Sequence, residues 1–330
     1  MMRLSIVVPC YNEEAVLGET LARLGRLLEE LCEAGQIAAD SELVFVDDGS
    51  RDRTWALIEA ASRSSPWVRG LKLSRNRGHQ QAVLAGLMLA RGDATISVDA
   101  DLQDDLGAIP AMLKAHAGGA EIVYGVRKRR DTDTFFKRAT AEGYYRLLAR
   151  LGVEIVFNHA DYRLLGRRAV EALREYREVN LFLRGVIPQL GFTTAQVYYD
   201  RAERFAGESK YPLSKMLGLA WQGVTSFSTM PLRLITSLGL LISLASFGIT
   251  LWALWVRLFS DSSVPGWAST VVPIYLLGGI QLLCIGIIGE YLAKTYVETK
   301  RRPLFHIEHD TAAVSTAGGA RVQDLARQQA

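Results

Sequence analysis

Two stretches without a single charged side chain, residues 234–256 and 268–289, limit what this chain can become more than any other feature in it. Each exceeds the roughly 20 apolar residues that carry a helix across a bilayer. A backbone crossing hydrocarbon must satisfy its own N–H and C=O groups, so both stretches are expected as helices forming a transmembrane hairpin, spanning about residues 234–256 and 268–290 within 232–297. A hydrophobic content of 49% fits a chain whose apolar mass exceeds one soluble core. Lys210, Lys215 and Arg233 precede the first stretch, and Lys294, Lys300, Arg301 and Arg302 follow the second, whereas the connecting loop carries only Arg257 and Asp261. Positive flanks stay on the cytoplasmic side, which predicts a multi-pass protein of the inner (cytoplasmic) membrane with both termini in the cytoplasm.

The stretch before the hairpin, residues 211–231, sets Leu213, Met216, Leu217, Leu219, Trp221, Val224 and Phe227 beside Lys215, the composition of an amphipathic helix lying at the interface. Gly278, Gly279, Gly286 and Gly289 permit close helix packing within the hairpin or between protomers, so a homo-oligomer is compatible with the spans. Residues 298–330 read as a cytoplasmic tail, small and polar towards its end and expected to be disordered there. Cys10, Cys32 and Cys284 are scattered without metal-ligand spacing, which suits a reducing compartment. A net charge of only +3 predicts no nucleic-acid partner.

Residues 1–210 have a different period. Short apolar runs at 4–8, 43–46, 68–73, 94–98 and 121–125 alternate with helical patterns, of which Leu17, Leu21, Leu24, Leu28 and Leu31 form the plainest. Alternation of this kind predicts an α/β domain with an open, mostly parallel sheet and helices on both faces. A further strand is expected over 193–199. Such sheets bind ligands outside the carboxyl ends of their strands, and the polar clusters of this sequence fall there. Cys10-Tyr11-Asn12-Glu13-Glu14 follows the first run, Asp47-Asp48-Gly49-Ser50 the second, Arg75-Asn76-Arg77-Gly78-His79 the third and Asp99-Ala100-Asp101 the fourth. If the fourth strand continues through its acids, Asp99 and Asp101 leave on one face and offer two hard oxygen ligands to Mg²⁺ or Mn²⁺. The structural alternative is a solvated loop whose acids cap the next helix. Neither a Gly-x-Gly-x-x-Gly nor a Gly-x₄-Gly-Lys-Ser/Thr pattern occurs, which argues against a dinucleotide fold and a P-loop enzyme.

Taken in order, Val8-Pro9-Cys10-Tyr11-Asn12-Glu13-Glu14, Val46-Asp47-Asp48-Gly49-Ser50, Arg75-Asn76-Arg77-Gly78-His79-Gln80, Asp99-Ala100-Asp101-Leu102-Gln103-Asp104, Asp161-Tyr162-Arg163 and Ser209-Lys210-Tyr211 make the chain resemble a family 2 glycosyltransferase of the polyprenyl-phosphate subgroup. Asp105-Leu106 stands where relatives often carry paired prolines. The resemblance implies a GT-A fold and an inverting transfer of a hexose from a nucleotide sugar, UDP-glucose first, to a polyprenyl phosphate such as undecaprenyl phosphate. A UDP-aminoarabinose derivative, UDP-N-acetylhexosamine or GDP-mannose are the other donors weighed.

It further implies that Pro9, Tyr11, Asn12, Glu13, Asp47, Asp48 and Asn76 line the nucleotide-sugar site. Asp99, Asp101 and Gln103 would hold a divalent cation on the diphosphate, with Asp99 also against the nucleotide sugar and Asp101 counted as catalytic. Arg127, Arg138, Arg163, Arg204, Ser209 and Lys210 are the implied acceptor-phosphate groups. Asp161 is implied either as the general base or as a group that orients Arg163 or the sugar hydroxyls. A processive polysaccharide synthase is disfavoured, because no Gln-x-x-Arg-Trp motif occurs. The alternative of another class is an inactive nucleotide-binding membrane scaffold.

Overall fold

A computed structural model of the protein describes residues 1–127, 159–176, 178, 183–200, 230–259 and 267–312. The chain divides into two units. The first contains an eight-stranded sheet: β1 (Leu4–Cys10), β2 (Glu42–Asp47), β3 (Val68–Leu73), β4 (Ala94–Ser97), β5 (Ile122–Arg127), β6 (His159–Gly166), β7 (Thr194–Tyr199) and β8 (Ile307–Asp310). Its helices are α1 (Leu17–Glu33), α2 (Thr54–Ser64), α3 (His79–Leu89), α4 (Ile109–Ala117), α5 (Arg167–Arg174) and α6 (Leu183–Gln189). The second unit contains α7 (Met230–Phe259) and α8 (Trp267–Thr299).

The strand order is β7-β5-β6-β4-β1-β2-β3-β8. β1 pairs in parallel with β2 and β4, β2 with β3, and β5 with β7; β6 lies antiparallel between β4 and β5, and β8 antiparallel on β3. All seven residues of β1 are buried, as a strand covered on both faces requires. Leu4, Ile6 and Val8 join Leu43, Phe45 and α1 in one core, whereas Val7 joins Val44, Val46 and α3 in the other. This alternation is the period of two that assigns successive residues to opposite faces. The α3 side of the sheet is especially close: a Cβ on Gly86 would lie 2.2 Å from Val7 Cγ1, so only glycine lets this helix approach there.

After β3 the chain passes back across β2 and β1 to form β4. The strand order therefore reverses beside β1, and a ligand crevice opens at such a switch point. Because β6 runs against its neighbours, its first residues, not its last, reach the carboxyl edge.

One strand, formed at the sheet edge after the second charge-free stretch, is not among those expected from the sequence. Beyond α8 the chain returns to the sheet, where β8 extends the edge of β3. Arg69 in β3 holds Asp310 through Nε at 3.0 Å and Nη2 at 2.6 Å, and Gly70 N donates to Thr311 Oγ1. Trp55 of α2 stacks on His309. Of the expected amphipathic segment 211–231, residues 211–229 lie outside the described residues, as does the tail beyond residue 312, and α7 begins at Met230. Among those described, no helix is long and apolar enough to cross a membrane.

The Arg69–Asp310 pair is mostly withdrawn from water, and removing Asp310 leaves the buried Arg69 with the longer 3.8 Å contact to Glu42 as its carboxylate partner. Asp310→Ala is therefore expected to destabilise the sheet unit by about 3 kcal/mol, read as a lowered midpoint in denaturant. Replacing both residues, Arg69→Met with Asp310→Leu, should cost less than the single change. Equal midpoints for Asp310→Ala and the parent protein would show that β8 contributes nothing to the sheet.

Candidate functional site

Four segments meet outside the carboxyl ends of β1, β2, β3 and β4, and hydrogen bonds stitch them together. At the end of β1, Asn12 adopts the left-handed conformation (φ 55°). Its N–H donates to Ser50 Oγ, and its side-chain oxygen accepts from Arg51 N. Glu13 N donates to Thr54 Oγ1 and Glu14 N to Asp52 Oδ2, which ties the β1 loop to the β2 loop. Asp48 spans the next gap, since its two carboxylate oxygens accept from Arg77 N at 2.7 Å and Gly78 N at 2.8 Å. The close approach of these two loops explains Gly49: a Cβ there would lie 2.7 Å from Asn76 N, and its φ is +68°.

Among the residues implied for the nucleotide, Pro9 is buried within β1, while Tyr11 and Asn76 are exposed on the loops. Asp47 is fully buried; its Oδ1 accepts from Ser50 N, and its Oδ2 has no hydrogen-bond partner among the described residues. A buried acceptor of this kind calls for a donor from elsewhere, as an imide or hydroxyl of a bound nucleotide supplies. Burial also pushes its carboxyl pKa up. Asp48, by contrast, is committed to the loop backbone.

Asp99 and Asp101 stand differently from the strand geometry expected of them. β4 ends at Ser97, and the chain turns, with Leu102 in the left-handed region (φ 56°). The two acids therefore sit in a loop, not on one face of a strand. That loop is fixed from three sides: Thr20 Oγ1 of α1 donates to Ala100 O, Gln103 N to Asp101 Oδ1, and Tyr162 OH of β6 to Asp105 O.

The carboxyl of Asp99 is pushed up to about 6, by surrounding protein first, with Asp104, Asp161 and Asp101 adding to the shift and His79 opposing it. Carboxylates gathered in this way are short of positive charge. No group of three His, Cys, Asp or Glu side chains able to hold a metal occurs among the described residues. Magnesium, however, binds through one or two carboxylates completed by substrate phosphates and water, so Asp99, Asp101 and the buried Gln103 fit that mode.

Asp161, three residues into β6, lies beside this loop. Ser97 Oγ donates to its carbonyl, fixing the strand register there. Its carboxylate takes Arg163 Nη2 at 2.5 Å and a two-pronged contact from Arg184 of α6, Nε at 3.0 Å and Nη2 at 2.9 Å. His79 Nε2 stands 3.7 Å from Asp161 and 3.6 Å from Asp99, linking the two carboxylates. Burial pushes the Asp161 carboxyl up, but Arg163 and Arg184 more than offset it and hold the group well below the usual carboxylate range.

Arg163 itself is fully buried, so Asp161 is its immediate partner. Arg184 was not singled out in the sequence. Its signal would have been a lone cation between Leu183 and Gly185-Val186-Ile187, since a charge in an apolar segment needs a partner.

Arg127, at the end of β5, completes the described cations of the site. Its Nε donates to Tyr199 OH at 3.3 Å, and Tyr199 OH donates in turn to the buried Asp104. Arg138, Arg204, Ser209 and Lys210 lie outside the described residues.

The sequence pattern described as Glycosyl transferase family 2 matches residues 5–174. The chain is 52% identical over 309 residues to the "Uncharacterized glycosyltransferase YkoT" of Bacillus subtilis (strain 168), covering 93% of this chain and 91% of that one. It is 40% identical over 310 residues to the "Bactoprenol glucosyl transferase" of Shigella phage SfV, covering 94% of this chain and 99% of that one. Among solved structures, the glucosyl-3-phosphoglycerate synthase of Mycobacterium tuberculosis is similar at 18% identity and a TM-score of 0.45, over 68% of this chain and 79% of that one.

The raised Asp99 carboxyl has a consequence for stability, with a definite sign. Its ionised form is disfavoured in the folded protein, so the cost is present above about pH 6 and disappears below the ordinary carboxylate pKa. Asp99→Asn should therefore stabilise the cation-free protein at pH 8, by about 1 kcal/mol once the 38% exposure of the side chain is allowed for. The gain should fade as the pH falls through 6 towards 4. Thermal unfolding in EDTA at both pH values measures it, and an unchanged midpoint at pH 8 would contradict the crowding.

Proposed function

We propose, from the premise that this chain belongs to glycosyl transferase family 2 and is a transferase enzyme, that it moves glucose from UDP-glucose to a membrane-bound polyprenyl phosphate such as undecaprenyl phosphate. The observation that carries this reading is the end-to-end similarity to proteins named bactoprenol glucosyl transferase, which includes the C-terminal helices as well as the sheet. The eight-stranded mixed sheet with flanking helices is GT-A-like.

The residues supply a division of labour. Asp47 and the loops around Asn12 and Asn76 receive the nucleoside, while Asp99 and Asp101, with Gln103, would hold Mg²⁺ or Mn²⁺ against its diphosphate. A cation held by these residues would supply positive charge against the negative charge that develops on the leaving diphosphate. The acceptor oxygen belongs to a phosphate that is already ionised at neutral pH, so its attack needs little proton removal. Direct in-line displacement inverts the anomeric configuration, and holding both reactants in one crevice lowers the entropic cost of their meeting.

Membrane residence is part of the proposal. α7 and α8 contain the two charge-free stretches, and Leu240, Leu241, Leu244, Trp255, Ile285 and Leu292 are all more than three-fifths exposed on them. Exposed apolar side chains at that density suit contact with lipid. The positive flanks support a cytoplasmic position for the catalytic part in this reading, on the side where nucleotide sugars are present.

Purified protein in detergent, given undecaprenyl phosphate, Mg²⁺ and a panel of UDP-glucose, UDP-N-acetylhexosamine and GDP-mannose, should form a glucosylated lipid from the first donor with inverted configuration. Transfer from another donor alone would move the sugar assignment, and no glycolipid from any donor would sink the reading. Asp101→Asn should lower turnover at least about a hundredfold while membrane insertion is kept, since one oxygen ligand of the cation is lost. Undiminished function of that variant in cells would favour a scaffold.

A further inference from the structure

The chain enters β8 at the carboxyl edge of the sheet. β8 runs antiparallel to β3, so its first residue, Ile307, pairs with Leu73 at the end of β3, and its last, Asp310, with Leu71. The residues just before β8 therefore lie where the ligand loops leave the sheet. His306 O accepts from Ser74 N at 3.0 Å, and Ser74 is the first residue beyond β3. Phe305 and Ile307 pack on the core that includes Val46, Leu73 and Ala82 of α3. The pairing is irregular between Lys72 and Leu73, and irregularities of that kind redirect a strand end.

This return fastens one end of the loop 74–78. The other end is fastened by Asp48, whose carboxylate accepts from Arg77 N and Gly78 N. Between them lie Arg75 and Asn76, whose backbone closes on Gly49. A second link runs through side chains. Lys72 sits opposite Asp47 across the β2–β3 ladder, and its Nζ pairs with Glu308 at 3.1 Å. Burial pushes the Asp47 carboxyl up, and Lys72 is among the groups that oppose it. Both links reach the nucleoside end of the crevice from residues far along the chain.

We propose that Phe305 and Ile307 are positioning residues for the nucleotide: they seat the segment 305–311 against the end of β3, and that segment holds the Ser74–Gly78 loop in its binding conformation. A loop ordered before the ligand arrives loses little conformational freedom on binding. One released at its first end must lose that freedom then, and affinity falls accordingly. Without β8, moreover, β3 would be the edge strand, with its outer N–H and C=O groups unpaired. The family pattern ends at residue 174, well before this segment.

The inference rests on the nucleotide-sugar reading, and the test separates the two. In the full-length protein, Phe305→Ala with Ile307→Ala is compared with the conservative pair Phe305→Leu with Ile307→Val. A third variant, Leu28→Ala, opens the core on the opposite, α1 face of the sheet. Each is titrated with UDP and with GDP in Mg²⁺, and hydrogen exchange of residues 74–78 and the midpoint in denaturant are measured alongside. The alanine pair should speed exchange at Ser74, Arg77 and Gly78 and weaken nucleotide binding about tenfold. The conservative pair should recover most of both losses. Leu28→Ala should lower the midpoint and leave nucleotide affinity within about twofold. Where the alanine pair does not fold, Phe305→Ala alone, at a half-buried position, makes the same comparison.

Unaltered exchange at residues 74–78, or faster exchange with unaltered affinity, would overturn the inference. So would an equal loss of affinity in Leu28→Ala, which would reduce the segment to a general contribution to stability. A parent protein that binds neither UDP nor GDP would strike at the proposed function instead, and the exchange of residues 74–78 would still decide whether this segment holds the loop.

Discussion

Everything at the site depends on the antiparallel insertion of β6 between β4 and β5. A parallel strand in that place would deliver its last residues to the carboxyl edge; an antiparallel one delivers its first. The pairing of Ser97 with Arg163, together with the hydrogen bond from Ser97 Oγ to the Asp161 carbonyl, brings a residue some sixty positions beyond the Asp99 loop to its side. The sheet thus concentrates Asp99, Asp101, Asp104 and Asp161 at one place, and the consequences of that crowding organise the chemistry.

Four carboxylates in one crevice cannot all stay ionised without cations near them. The protein answers in two ways. Asp161 and Asp104 are paired with its own side chains, the first with Arg163 and Arg184 and the second with Tyr199 and Arg127. Asp99, with its carboxyl pushed up to about 6, is left poorly compensated. The crevice therefore keeps one poorly compensated carboxylate, Asp99, beside the arginine-paired Asp161, with His79 within 3.7 Å of both.

The sequence revealed the parallel half of this arrangement well, because β1, β2 and β4 are buried throughout and read as largely apolar runs, with β3 following the same pattern around Arg69 and Lys72. It placed the polar loops at the correct strand ends for the same reason. The strand expected over 121–125 is observed at Ile122–Arg127, and that over 193–199 at Thr194–Tyr199. What escaped depends on pairing across long separations. β6 reads His-Ala-Asp-Tyr-Arg-Leu-Leu-Gly and has no clean period, since its charged Asp161 and Arg163 are accommodated by pairing with each other, and Asp161 with Arg184 as well. β8 is four residues long and largely charged, and it exists because Arg69 awaits Asp310. Asp48, expected at the nucleotide, also ties two loops together through the backbone N–H groups of Arg77 and Gly78, a use that no local pattern announces. The strand geometry expected for Asp99 and Asp101 gave way to a turn after Ser97.

The central claim is that the Asp99 loop faces a nucleoside diphosphate through a divalent cation. Calorimetric titration of UDP into the full-length protein tests it most directly, with Mg²⁺ or Mn²⁺ in one cell and EDTA in the other. The account predicts measurable binding only with the cation, and its loss when Asp99 and Asp101 are both changed to Asn. Equal affinity in EDTA, or unaltered cation-dependent binding in the double variant, would contradict it.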